Sequence, residues 1–227
     1  MRFSKCFAFL SLAATATLAS AGTIDVTKTV LGTQGPWTFS GSLNSSFQYG
    51  TDSELPPAVF SASDGFDFAA GGTFTITYLT GTVSVGAAFP FTDANGDTAL
   101  PVDNTPGSSG KVFPSAYMDP TTYPINLGEL VGTFANSSGM IVGTPFKVGD
   151  SASVTIPAGA TQLQLGINDD IFGDNSGFYS VEVGGPSAPV PSTVPEPSTW
   201  GSLGAVLAFL AMFASFRNKQ GVGPQRF

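Results

Sequence analysis

The sequence predicts an all-β fold, a single β-sandwich, and three observations carry that expectation. Apolar and polar residues alternate strictly in Thr73-Phe74-Thr75-Ile76-Thr77-Tyr78, in Gln162-Leu163-Gln164-Leu165-Gly166-Ile167 and in Tyr179-Ser180-Val181-Glu182-Val183. A period of two with one apolar face describes a sheet covered on one side by a second layer. Between residues 22 and 190 no segment sustains apolar residues at i, i+3 and i+4 over a useful length. Gly, Pro and Asn turns separate many short strands, the pattern of a sandwich.

Taken in order, the chain opens with Arg2 and Lys5, an apolar run from Cys6 to Leu18, and the small residues Ala19-Ser20-Ala21 ahead of Gly22. That is the layout of a secretory signal peptide over residues 1–21. Cys6 is the one cysteine and falls inside it, too early and with the wrong neighbours for a lipoprotein cysteine. The exported product then has no disulfide, thiolate metal site or cysteine nucleophile. Residues 22–183 form the expected sandwich domain. Ile24 to Val30 reads as its first short strand, and residues 22–60 read either as an added strand pair or as an arm. Trp37, Phe39, Phe47, Tyr49 and Phe60 offer ring faces that could stack on sugars, but alternating aromatics in a β protein are core more often than platform.

Thr82 to Val85, Met140 to Val142 and Ser153 to Ile156 are further short strand candidates. From Gly86 to Glu129 the pattern dissolves under prolines 90, 101, 106, 114, 120 and 124, and the segment reads as long surface loops. Asp93-Ala94-Asn95-Gly96-Asp97 within it resembles the start of an EF-hand loop, but its twelfth position is Asn104 rather than Glu and no helices flank it. A polar turn is the expectation there. Residues 184–197 carry five prolines and read as a stiff, extended linker.

Charge narrows the function. Lys28, Lys111 and Lys147 are the only basic residues between 22 and 190, against fifteen Asp and Glu, a formal charge of −12. Such a surface repels nucleic acid and anionic lipid and attracts divalent cations. The chain has no histidine, and this region has no arginine. Ser-His-Asp triads, imidazole metal sites and bidentate arginine clamps are therefore excluded. Carboxylate pairs such as Asp64 with Asp67, or Asp169 with Asp174, are the groups of a glycosidase, but any acidic loop offers such pairs. The reading is of a protein that is not an enzyme.

One loop concentrates chemistry. Between two strong strands, Asn168-Asp169-Asp170-Ile171-Phe172-Gly173-Asp174-Asn175 holds three carboxylates and two carboxamides in eight positions. Oxygens held that closely repel one another unless a cation sits among them. Ca²⁺ suits such a set, taking about 6–8 oxygens in flexible geometry. Mg²⁺ demands a stricter octahedron, and zinc would want His or Cys. The same residues also build tight strand-to-strand turns through Asx hydrogen bonds.

The stretches Gly72-Thr73-Phe74-Thr75-Ile76-Thr77, Gly81-Thr82-Val83-Ser84-Val85-Gly86, Leu130-Val131-Gly132, Phe146-Lys147-Val148-Gly149 and Leu165-Gly166-Ile167-Asn168-Asp169, leading to Asp174-Asn175-Ser176-Gly177, resemble the PA-I-like galactophilic lectins over about residues 59–183. The resemblance implies a small jelly-roll-like β-sandwich whose last loop binds calcium, which holds two hydroxyls of galactose. By position, Asp169 would supply a carboxylate ligand, and Asp174 with Asn175 side-chain oxygens. Carbonyls near Ile171 or Phe172 and from about Val85 would complete the set. Asp170 is either a ligand or solvent-facing, and Asn168 is a further metal or sugar contact. The loop is about two residues shorter than the galactose-binding form, Asp174 replaces the first Asn of its closing pair, and the family's sugar-contacting histidine has no counterpart.

At the C-terminus, Val194-Pro195-Glu196-Pro197-Ser198-Thr199-Trp200 precedes an uncharged run to Phe216 and then Arg217 and Lys219. This resembles the bacterial PEP-CTERM sorting signal, over residues 194–219. A transmembrane helix is expected over about 200–216, its 17 residues reaching about 25 Å against a hydrocarbon core of roughly 30 Å. The alternative, a buried core helix, lacks a polar face. The resemblance implies an exosortase that cuts near Pro195, Glu196 and Pro197. The partners expected are thus the export machinery, the membrane before processing, and extracellular polysaccharide or glycan. The location expected is the cell envelope or the extracellular matrix. The alternative is a matrix protein that binds no sugar.

Overall fold

The computed structural model describes residues 22–189. The expected signal peptide, sorting motif and transmembrane helix lie outside the described residues. Among those described, no helix is long and apolar enough to cross a membrane.

Ten strands follow in order: β1 (Thr23–Leu31), β2 (Ala58–Ser61), β3 (Thr73–Ser84), β4 (Asp97–Pro101), β5 (Asn126–Leu127), β6 (Leu130–Ala135), β7 (Ile141–Lys147), β8 (Ser151–Thr155), β9 (Gln162–Ile167) and β10 (Ser176–Pro186). One sheet runs β1-β10-β3-β8, the other β2-β9-β6-β7, and β4 pairs with β5 in a small ribbon. All pairings between these strands are antiparallel. Set the ribbon aside, and the first strand pairs with the last, the second with the second-last, and so on inward to β6 with β7. A long hairpin rolled up on itself gives this order, the double-sheet wrapping of a jelly roll.

Alternation supplies the core. Val30, Phe74, Ile76, Val83, Tyr179, Val181 and Val183 from one sheet meet Phe60, Leu130, Phe134, Leu163, Leu165 and Ile167 from the other. Phe74 and Phe134 stack across the gap, ring centroids 6.1 Å apart. The two strands expected at Thr73 and Thr82 are one. A bulge opposite Ser180 and Val181 inserts Leu79 and shifts the buried face from even to odd positions. That change of parity makes one strand look like two.

The sheets differ on their outer faces. Beyond β1, β3 and β8 lie threonines and serines exposed to water, as the sequence pattern implies. The outer face of β6 is buried instead, with Val131 packed on Met118 and Ile125. The covering layer comes from residues 33–57 and 102–125. Gly166 is a close-approach glycine: a Cβ there would stand 2.3 Å from the Gly35 carbonyl carbon. The proline-punctuated segment thus does more than loop over the surface. Ala94, Phe113, Ser115, Met118 and Ile125 are buried in it. Its prolines suppress periodicity but not burial, so pattern reading misses the layer.

Residues 22–60 are integral to the sandwich, with β1 and β2 forming one edge of each sheet. The aromatics expected in the core lie there: Trp37, Tyr49 and Phe60 are buried, with Phe39 and Phe47 packed against them. Strand β10 runs to Pro186, three residues into the stretch read as linker. Gly185 permits this, because the Phe74 ring fills the space where its Cβ would stand.

The edges of the two sheets are tied by Lys28. Its ammonium donates to the Val59 carbonyl at 2.6 Å and pairs with Asp64 at 2.8 Å, lying 5.0 Å above the Phe60 ring. Lys28→Met keeps the apolar stem and removes the donors. The expected loss is about 1–2 kcal/mol in urea unfolding. An unchanged midpoint would show that the tie is solvated and contributes nothing.

Candidate cation and ligand site

The loop from Asn168 to Asn175 leaves β9 in one sheet and enters β10 in the other, so it crosses one end of the sandwich. Two anchors hold it. Phe172 is fully buried, its ring 5.8 Å from Tyr49, which in turn lies 5.3 Å from Trp37. Asn168, also fully buried, accepts from the Ser115 N–H at 2.9 Å through Oδ1 and donates to the Asn126 carbonyl at 3.0 Å through Nδ2. Its carboxamide fastens the covering segment to the sandwich end.

Asp169 is buried at 3% exposure. One carboxylate oxygen, Oδ1, accepts the N–H groups of Asp170 at 2.7 Å and Ile171 at 3.4 Å. The other, Oδ2, is buried without a hydrogen-bond partner, and so is Oδ1 of Asn175. The orientation of the Asn175 amide follows from its Nδ2, which donates to the Gly32 carbonyl at 2.8 Å. Burial pushes the Asp169 carboxyl up to about 7, opposed by the Asn175 amide nitrogen nearby, which makes no hydrogen bond to Oδ2, and by the two backbone N–H groups. A buried polar atom left unpaired costs about 1–3 kcal/mol. Two such oxygens in one loop call for a proton or a cation.

Asp170 is not exposed, and its carboxylate is engaged elsewhere. It is buried, and its Oδ2 accepts from the Ser109 N–H at 2.7 Å. Gly107 makes room for it, since a Cβ there would stand 2.2 Å from the Asp170 carboxyl carbon. The solvent-facing option therefore gives way to a carboxylate clasped by the 107–109 turn. Asp174 is exposed, and its carboxylate packs on the backbone of Gly86.

Val85, Asp169, Asp170, Ile171 and Asp174 line one open cleft of about 260 Å³, with Phe89, Leu100, Val102, Ser108, Phe113 and Leu127 as the remaining wall. Asn168 and Asn175 are not among the lining residues. Among the described residues, no group of three or more His, Cys, Asp or Glu is gathered closely enough to hold a metal. Any cation here would depend on two carboxylates, a carboxamide and main-chain carbonyls.

Three contributors escape sequence reading. Gly32, Ser109 and Ser115 act through backbone groups, which carry no residue-type signal. Asp52 also reaches this loop, its Oδ2 3.0 Å from where a Gly173 Cβ would stand. The EF-hand-like turn is a polar turn: Asp93 accepts from the Asn95 N–H, and Asp97 from that of Ala99, each at 3.0 Å. Asp64 is engaged by Lys28 and the Ser61 N–H, and Asp67 caps its own turn through Ala69.

Fold and cleft together define an antiparallel β-sandwich with an acidic, half-apolar cleft at one end. No protein-family model and no curated protein matches the chain. Among solved structures it is similar to one described as "EclA N-terminal domain; PllA-like lectin", at 18% identity and a TM-score of 0.36, covering 70% of this chain and 94% of that one.

Proposed function

We propose that this chain is an exported cell-surface or extracellular-matrix protein whose sandwich binds glycan through a calcium ion in the end cleft. The observation that carries the reading is the pair of buried oxygens without donors, Asp169 Oδ2 and Asn175 Oδ1. A calcium ion would sit between the cleft and the loop interior, held by these two, of which Asn175 lies behind the cleft lining, by the Asp174 carboxylate and by main-chain carbonyls at Val85 and Ile171. Once bound, it would offer open coordination positions to adjacent sugar hydroxyls. Asp170 and Asn168 hold the loop in shape, and the Val85 and Leu100 side chains make one wall apolar. Export rests on the N-terminal signal and on Pro195, Glu196 and Pro197, with an exosortase as the processing partner.

A second reading is a matrix protein that binds no sugar, with calcium at most stiffening the loop. The absence of a three-carboxylate group among the described residues favours it. Thermal unfolding with calcium or with chelator, beside binding to a printed glycan panel, separates the two. The first reading expects a melting shift and glycan signals that both vanish with chelator. A calcium-dependent shift without any glycan signal would leave only the second.

A further inference from the structure

We infer that Phe89 is the stacking platform of this cleft and selects an uncharged pyranose ring with an exposed C–H face. The inference rests on the glycan reading above. Phe91 and Phe178 are more exposed, at 61% and 45%, than Phe89 at 38%, but of the three only Phe89 lines the cleft. The loop that carries it is closed and braced. Val83 and Thr92 exchange backbone hydrogen bonds at 2.9 and 3.0 Å, and the Phe89 N–H donates to the Gly86 carbonyl at 3.0 Å. The Ser84 hydroxyl, itself buried, reaches the carbonyls of Gly86 at 2.9 Å and Phe89 at 3.0 Å. The backbone that carries the ring is therefore held in one place.

Its position relative to the acidic end is fixed at Gly86. A Cβ built there would stand 2.7 Å from the Asp174 carboxylate and 3.5 Å from the Phe89 ring. Carboxylate and ring flank the same point beside Gly86. Val85 and Leu100 extend the apolar wall, and Asp169 lies at the polar end. A ligand that fills this space needs hydroxyls on one side and C–H groups on the other. A pyranose has both, and aromatic faces pack against its C–H groups. The domain's charge of −12 disfavours sugars that carry carboxylate or sulfate.

The test uses the purified chain, Phe89→Ala and Phe89→Trp on a printed panel of neutral hexopyranosides with sialylated and sulfated sugars as controls. Calcium affinity is followed separately by calorimetry with calcium chloride. Neutral sugars should bind, weakened about three- to tenfold by Phe89→Ala and retained by Phe89→Trp, with calcium affinity unchanged in both. Neutral-sugar binding unaltered in Phe89→Ala, or a preference for the anionic controls, would overturn the platform and leave the glycan reading standing. No sugar retained by the calcium-loaded wild type would overturn both. Self-association of that wild type, lost in Phe89→Ala, would then assign the ring to a second copy.

Discussion

Asp169→Asn is expected to stabilise the calcium-free protein at neutral pH and to remove its stabilisation by calcium. The folded carboxyl titrates near 7, raised by burial from 3.8. Below about pH 4 the group is protonated in both states and adds nothing. Between about 4 and 7 the unfolded chain ionises first, so the folded state holds the extra proton and stability falls as pH rises. Above 7 the loss levels off at about 4 kcal/mol. Asparagine has the same shape, keeps an oxygen for the Asp170 and Ile171 N–H groups, and turns the orphaned position into a donor beside the Asn175 carboxamide. In chelator at pH 8 the variant should therefore unfold at higher urea than wild type, and the pH dependence between 4 and 7 should flatten. Calcium narrows that gap. At a free concentration of about 100 times Kd it should stabilise wild type by about 2.7 kcal/mol and leave the variant unmoved. Urea titrations at pH 4.5 and 8, with calcium and with chelator, check all four corners. A variant less stable than wild type in chelator at pH 8 would show the carboxylate to be well solvated, and one still stabilised by calcium would place the ion elsewhere.

Asn168→Ala should cost about 2–5 kcal/mol, because it strands the Ser115 N–H and the Asn126 carbonyl in the interior without partners. The effect should reach beyond the loop. Asn168 joins the sandwich end to the covering segment that also supplies Val102, Ser108 and Phe113 to the cleft. Hydrogen exchange should show lost protection at Ser115 and through the 102–125 layer, with β1 and β3 little changed. Loss confined to the 168–175 loop would mean that the layer docks independently. Asn168→Asp gives a sharper comparison: it preserves the acceptor for Ser115 but turns a carboxylate oxygen toward the Asn126 carbonyl, so its penalty should grow as pH rises and the group ionises.

The strands were the most legible part. Strict alternation at Thr73–Tyr78, Gln162–Ile167 and Tyr179–Val183 falls within β3, β9 and β10. Legibility failed at Leu79, where one inserted residue inverts the pattern, and at Gly184 to Pro186, where glycine and proline read as linker but sit opposite Thr23 to Asp25 in a paired strand. It failed most between residues 86 and 129. Prolines there break every short-range rhythm, although Phe113, Met118 and Ile125 are buried. Of the acidic loop, composition revealed which residues carry oxygens but not which of them share a space.

Local order is what this sequence determined alone, since a period of two depends only on neighbours and survives in any environment that buries one face. Three-dimensional packing decided the rest. Asn175 is oriented by a carbonyl at residue 32, Asp170 by an N–H at 109, and Asn168 by groups at 115 and 126. Burial and hydrogen bonding act through space, so chemically similar oxygens a few positions apart became a clasp, a bracket and an unpaired acid according to which distant backbone reached each one.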